Sequence, residues 1–298
     1  MTILEILSNN PIALVTITLV VGLLVGSFLN VVIHRLPIML QREWKSQCCE
    51  FLEIESSLPE ESPAAAGFES FNLVKPASHC PHCSHRIRAW ENIPVISYLI
   101  LRGKCSRCTA AISMRYPAIE LVTGLLSALV ASYFGFTWVC LALLVFTWSL
   151  IALTIIDVDH QLLPDNITLP LLWLGLLVNS SDLGLVTLQD AVIGAMGGYV
   201  SLWLFYWTFK LITGKEGMGY GDFKLLAALG AWMGWQSLLP IVILSSLVGA
   251  VIGIGMIVVL KRDRHVPIPF GPYLAGAGFI MLIWGPWLSD FYLSNFVI

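Results

Sequence analysis

From Ala118 to Leu288 this chain is apolar almost throughout, cut only by short polar breaks, and that leaves little choice of solvent in which to fold. Only 12% of its 298 residues are charged and 57% are hydrophobic, whereas a soluble domain carries about 25% charged residues. Candidate spans fall at Pro11–Ile33, Ala118–Tyr133, Thr137–Ile156, Asn166–Val178, Ala191–Ile212, Phe223–Leu239, Ile241–Leu260 and Gly271–Leu288. The expectation is an all-α polytopic membrane protein of about eight transmembrane helices. A cleaved signal peptide is the competing reading of the first run. Its basic residues follow the apolar stretch instead of preceding it, so a retained anchor is expected.

Every Lys and Arg lies in a segment that falls on one side of the membrane if the N-terminus is outside. These are 34–116, the 210–224 loop and the 261–269 loop. The positive-inside bias makes that side cytoplasmic. The expected organisation is an anchor over 1–33, a cytoplasmic domain over 34–116 and a transmembrane domain over 117–298. Within the cytoplasmic segment, Gln41–Phe71 is acidic and then Ser/Pro/Ala-rich around Ser56–Gly67, and reads as a loop or insert. No dense basic stripe with interleaved aromatics is present, so no nucleic-acid partner is expected.

Four of the seven cysteines form two C-x-x-C pairs, Cys80 with Cys83 and Cys105 with Cys108. Two knuckles about twenty residues apart have the spacing of a four-cysteine zinc site, giving a small zinc-ribbon-like domain after the first helix. Four thiolates leave no open position on the metal, so Zn2+ there is structural. A thioredoxin-like redox pair is the alternative, without the βαβ context it needs. His79, His82 and His85 flank the first knuckle and could replace a ligand, but read as solvated or outlying. Cys48, Cys49 and Cys140 read as free thiols.

Two acids stand where acids are costly. A charged group at bilayer depth costs at least about 2.5–3.5 kcal/mol, which makes it a functional candidate by default. Asp157 ends the run Leu150–Ile156, and Asp222 follows Gly217, Gly219 and Gly221 in G-M-G-Y-G-D. Both sit at the cytoplasmic ends of spans. Two carboxyls at close range have their proton affinities pushed apart, so one can take a proton from water while the other donates to a peptide carbonyl. Asp159 and Asp165 compete with Asp157, and Asp165 reads equally well as a helix cap. No HExxH and no convincing Ser/His set stands in the spans. The pairs Gly22/Gly26 and Gly194/Gly198 read as helix-packing contacts.

With these residues in place the chain resembles the bifunctional type IV prepilin peptidases, the leader peptidase/N-methyltransferases of bacterial pilus and type II secretion systems. The resemblance runs through N-V-V-I-H-R-L-P, C-P-H-C, W-E-N-I-P-V-I-S, R-G-K-C-S-R-C, R-Y-P-A-I-E, I-D-V-D-H-Q-L-L-P-D, G-M-G-Y-G-D-F-K-L-L-A and P-I-P-F-G-P-Y-L. It implies a GxGD aspartyl protease with Asp157 and Asp222 catalytic, zinc on Cys80, Cys83, Cys105 and Cys108, and an association of Gly103 with methylation. It also implies a bacterial inner-membrane location among lipid, and prepilin or pseudopilin substrates cut after a glycine on the cytoplasmic side. The new N-terminal amine is then methylated from S-adenosylmethionine. Three other readings compete: a GxGD protease for signal peptides, a transporter relaying protons through its acids with Glu120 as the only other intraspan acid, and a zinc-domain scaffold.

Overall fold

A computed structural model describes residues 7–52, 71–260 and 268–296. The Ser/Pro/Ala-rich stretch 56–67 and the basic residues Lys261, Arg262 and Arg264 lie outside the described residues. Five helices among those described are long and apolar enough to cross a membrane. The architecture is helical, with two isolated β-bridges and no strand among the described residues. Two compact units divide the chain, Ile12–Leu129 and Val130 onward.

In the first unit, helix α1 runs from Pro11 to Phe51. The candidate span ends at Ile33, and the helix runs on beyond it through Pro37 to take in the polar segment Gln41–Phe51, part of the stretch expected as a loop or insert. Six of that segment's eleven residues, Gln41, Arg42, Glu43, Lys45, Gln47 and Glu50, are good helix formers, and Gln47 donates to Glu43 one turn earlier. Helix α2 is the short Ile96–Ile100, and α3 runs from Arg115 to Phe134. Helices α1 and α3 meet through small residues. A Cβ on Gly22 would lie 2.6 Å from Ser127 Oγ, and one on Gly26 would lie 2.7 Å from the Glu120 Cα. This contact and the cysteine segment belong to one compact unit.

In the second unit, α4 (Trp138–His160), α5 (Asp165–Asn179), α6 (Leu188–Thr213), α7 (Tyr220–Met233), α8 (Leu238–Leu260) and α9 (Gly271–Phe296) follow in order. Helix α7 is the buried centre. Phe223, Leu225, Leu226, Leu229 and Trp232 have no measurable exposure, which is the pattern of a helix apolar on all sides. Its 14 residues span only about 21 Å at 1.5 Å per residue, less than the hydrocarbon core. The expected span Phe223–Leu239 is therefore two elements. Gly234, at φ 75°, breaks the helix, and a 3-10 turn at Trp235–Ser237 leads into α8. A hydropathy run passes over that turn, because its polar residues Gln236 and Ser237 are only two, set between the apolar Trp235 and Leu238.

The C-terminal end of α7 is held. Asn179, at the end of α5, donates its amide to the Ala231 and Trp232 carbonyls at 2.8 and 3.0 Å. Its oxygen accepts from the backbone N–H groups of Leu185 and Val186. Carbonyls left unpaired at a helix end are thereby satisfied inside apolar surroundings. Trp232 donates to the Leu171 carbonyl at 2.9 Å, and Gly175 leaves the room for its ring. Along its length, α7 lies on the glycine face of α6. A Cβ on Gly194 would strike the Gly230 carbonyl oxygen, and one on Gly198 would lie 2.7 Å from the Leu226 carbonyl.

Gly194→Val is expected to destabilise the folded protein by at least about 3 kcal/mol, because the collision is with backbone that cannot rotate away. Gly197→Ala meets only Leu238 Cδ1 at 3.3 Å and is expected to change stability by less than about 1 kcal/mol. Thermal unfolding of the two variants in the same detergent compares them directly.

Candidate active site and metal centre

Asp157 lies in the last turn of α4. Thr137 starts this helix by accepting the Cys140 N–H, and Gln161, in the left-handed conformation at φ 52°, ends it. The position separates the competing acids. Residues two apart on a helix point to nearly opposite faces, so Asp157 is buried while Asp159 is exposed. Asp165 is exposed too, and both of its oxygens take the Lys224 ammonium at 2.7 Å. That pair ties the L-P-D turn to α7. At the surface it is worth no more than about 1 kcal/mol.

Asp222 lies in the first turn of α7, with Gly219 as the extended residue that begins the helix. It is 8% exposed and Asp157 is 5% exposed. The Asp157 carboxyl is close enough to act on Asp222 electrostatically. Leu163 fills the floor between their turns. A Cβ on Gly221 would sit 2.8 Å from Leu163 Cβ, and this close approach accounts for the glycine immediately before the acid. The structure thus brings together two carboxyls from different helices and leaves Asp159 and Asp165 outside.

Their hydrogen bonds differ. Asp157 Oδ2 accepts the Gly271 backbone N–H at 3.0 Å, whereas Asp222 Oδ1 is buried with no hydrogen-bond partner among the described residues. Sequence reasoning placed no site residue in P-I-P-F-G-P. The motif itself was the signal, but its target is 114 residues away along the chain.

The cysteines converge as their spacing predicts. The four Sγ atoms of Cys80, Cys83, Cys105 and Cys108 lie within 4.8 Å of one another, with Cys80–Cys108 at 3.8 Å and Cys83–Cys105 at 4.0 Å. A tetrahedron of thiolates about 2.3 Å from a central ion has edges of about 3.8 Å, so the cluster could hold a metal ion. Its two knuckles share one backbone path. Cys80 N–H reaches the His85 carbonyl as Cys105 N–H reaches that of Ala110, and the residue four beyond each lead cysteine, Ser84 or Thr109, takes positive φ. Backbone N–H groups of Cys108 and Arg107 directed at Cys105 lower its thiol to about 6, which favours the thiolate a metal requires.

Glu91 couples the knuckles. It accepts from Arg88 N–H at 2.7 Å, from the Ser106 hydroxyl at 2.5 Å and from the His85 ring at 3.2 Å. These donors, led by Arg88 N–H, hold its carboxyl below the usual range. The His85 Nε2 is taken by Glu91, and His85 is not among the side chains that converge with the four cysteines. Gly103, at φ 67°, receives Ile112 N–H on its carbonyl and gives its own N–H to the Tyr98 carbonyl. A Cβ there would sit 2.8 Å from Tyr98 Oη. Cys48, Cys49 and Cys140 are free thiols, as expected.

Arg35 anchors this segment to α1. It is buried, and it donates to the Asn72 and Pro76 carbonyls at 2.8 and 2.6 Å. Buried Glu120, on α3, accepts Val95 N–H at 2.8 Å. Neither role was read from the sequence. The cues were an Arg closing an apolar run and an acid inside one.

Buried carboxyls brought together from the ends of two helices, in a chain that also carries a four-cysteine cluster, define a class of membrane-embedded aspartyl peptidase. The Bacterial Peptidase A24 N-terminal domain matches residues 20–134 and the Type IV leader peptidase family matches residues 144–254. The chain belongs to the type IV leader peptidase family. It is 61% identical over 99% of both chains to the prepilin leader peptidase/N-methyltransferase of Stutzerimonas stutzeri. It is 56% identical to that of Pseudomonas aeruginosa over 99% of this chain and 98% of the relative, and 46% identical to that of Legionella pneumophila over 93% and 94%. No solved structure matches.

Purified protein is expected to carry one metal ion per chain by elemental analysis, and Cys80→Ser or Cys105→Ser to lose it. Unchanged metal in either variant would rule the cluster out as the site.

Proposed function

We propose that this chain is a bifunctional enzyme of the bacterial inner membrane. It cleaves the short basic leader of type IV prepilins or pseudopilins at the cytoplasmic face and N-methylates the residue so exposed. The observation that carries the protease half is the meeting of Asp157 and Asp222, buried side chains from separate helices, with Asp222 Oδ1 unpartnered. Asp157 and Asp222 are the catalytic residues of this reading. A carboxyl pair sharing one proton can activate water with the ionised member and protonate the scissile carbonyl oxygen with the other. The proton belongs to the pair, and the roles exchange as the tetrahedral intermediate collapses. Placement at the ends of α4 and α7 gives water access at the membrane surface and leaves the substrate's apolar helix in the bilayer.

The distribution of Lys and Arg supports a cytoplasmic setting for both the acid pair and the cysteine domain. The functional division is an anchor over 1–33, the cysteine domain over 34–116 and the protease over 117–298. Zinc is the metal this reading places on Cys80, Cys83, Cys105 and Cys108, as a four-thiolate structural ion that leaves no open position for substrate. For the methyl half, the relatives' shared name is the main support. S-adenosylmethionine would supply the methyl group. The described residues contain no strand leading into a glycine-rich turn and helix, so no residue is assigned to the donor and no step is routed through it. Gly103 is the position associated with methylation. Its positive φ and its packing on Tyr98 support a conformational role in the turn that leads to Cys105.

The transporter reading is disfavoured by Glu120, which takes the Val95 N–H as a structural acceptor.

Asp157→Asn and Asp222→Asn are each expected to lower cleavage of a prepilin-like substrate by at least about a thousandfold, while still methylating pre-cut substrate and retaining metal. Wild-type cutting by either variant would overturn the paired-carboxyl mechanism. Gly103→Ala is expected to show the reverse pattern, with cleavage retained and methylation reduced at least about tenfold, scored with labelled methyl donor in the same assay.

A further inference from the structure

The motif P-I-P-F-G-P is unused by the reading above, yet it ends at the acid pair. Its glycine, Gly271, is the first residue of α9. The opening turn of a helix has N–H groups with no intrahelical acceptor, and here each can be followed. Pro272 has none to offer, and Tyr273 and Leu274 both point at the Phe270 carbonyl. The Gly271 N–H goes to Asp157 Oδ2 at 3.0 Å. It is the one N–H of residues 271–274 that leaves the helix, and it leaves toward a carboxyl that is itself buried.

The side chain matters as much as the donor. A Cβ on Gly271 would stand 2.6 Å from Asp157 Oδ2 and 3.2 Å from both Asp157 Cγ and Leu163 Cδ2. Any residue larger than glycine would occupy the space in which the carboxyl now lies. Farther along the same helix, a Cβ on Gly276 would meet nothing within 4 Å, so the constraint belongs to position 271.

The two carboxyls are therefore held unequally. Asp157 is pinned by a backbone donor from a third helix. Asp222 keeps Oδ1 unpartnered among buried atoms. In a reaction that requires one carboxyl to stay aligned while the other meets the scissile group, this division is useful. Alignment within a few tenths of an ångström is what a rigid backbone N–H supplies.

Resting on the reading of Asp157 and Asp222 as the acid pair, we propose that Gly271 is a positioning residue for the protease. Its N–H fixes the Asp157 carboxyl against Asp222, and its missing Cβ makes the room for that carboxyl.

Two changes separate donor from space. Replacing Gly271 by glycolic acid through cell-free translation into nanodiscs removes the N–H without adding a Cβ, leaving an ester whose Phe270 carbonyl is also a weaker acceptor for the Tyr273 and Leu274 N–H groups. Gly271→Ala keeps the N–H and adds the Cβ. Both are compared with wild type, Gly276→Ala and Asp157→Asn for cleavage of a prepilin-like substrate, methylation of pre-cut substrate and bound metal. The ester is expected to lower kcat about ten- to a hundredfold, the range of one hydrogen bond to a charged group, with KM within about twofold. Gly271→Ala is expected to lose more, and Gly276→Ala to cut as wild type, with methylation and metal kept throughout. Wild-type kcat in the ester, or a raised KM with unchanged kcat, overturns the proposal, and should Gly271→Ala fail to fold the ester still decides it. If Asp157→Asn is inactive while both Gly271 variants cut normally, only this inference fails. If Asp157→Asn cuts at the wild-type rate, the acid-pair reading fails with it.

Discussion

Backbone-to-backbone contact between α6 and α7 decides where Asp222 can be. Gly194 and Gly230 approach so closely that neither tolerates a Cβ, and Gly198 repeats the contact against Leu226 one turn away. Without water to drive apolar surfaces together, helices in a bilayer associate through close packing and shared polar contacts. Small residues on one face are what permit that approach. Helix α7 is enclosed as a result, its C-terminal carbonyls capped by Asn179 and its indole Trp232 set into the notch left by Gly175. With the far end clamped, the first turn, and Asp222 in it, has one position open to it.

The same economy of small residues recurs where the acids meet. Gly221 lets α7 start against Leu163, and Gly271 lets α9 start against Asp157. Three helix termini thereby converge on two carboxyls inside an apolar bundle, where an unpaired polar group is expensive. Asp157 is compensated by a backbone N–H, and Asp222 Oδ1 is left without a partner among the described residues. An orphaned buried oxygen in an otherwise satisfied interior is the kind of local cost that functional sites carry.

The cysteine unit solves a different problem. A segment this short buries little apolar surface of its own, and its turns are strained at Ser84, Val95, Arg102 and Thr109, all at positive φ. Polar anchors hold it instead: Arg35 on the Asn72 and Pro76 carbonyls, Glu91 between the knuckles, and Glu120 on Val95. Buried Arg and Glu of this kind are tolerated because each is hydrogen-bonded.

Much of this was readable from residue order alone. Local spacing carries the two knuckles, because four thiols at C-x-x-C separation have few ways to converge. Hydropathy carries the spans, the one-sided placement of Lys and Arg supports the orientation proposed for them, and Asp157 and Asp222 stand out because acids beside apolar runs are costly. Tertiary structure decided what depends on contacts distant along the chain: that Asp157 faces Asp222 while Asp159 and Asp165 do not, that Gly271 donates to Asp157, and that α1 continues to Phe51 with Arg35 as its anchor. It also decided that Phe223–Leu239 is two elements, since the backbone reversal at Gly234 leaves no trace in hydropathy. The reason is common to all four. Composition and period report the solvent each residue meets, whereas a hydrogen bond between residues 157 and 271, or a helix break at a glycine between two apolar helices, is specified only when the helices pack.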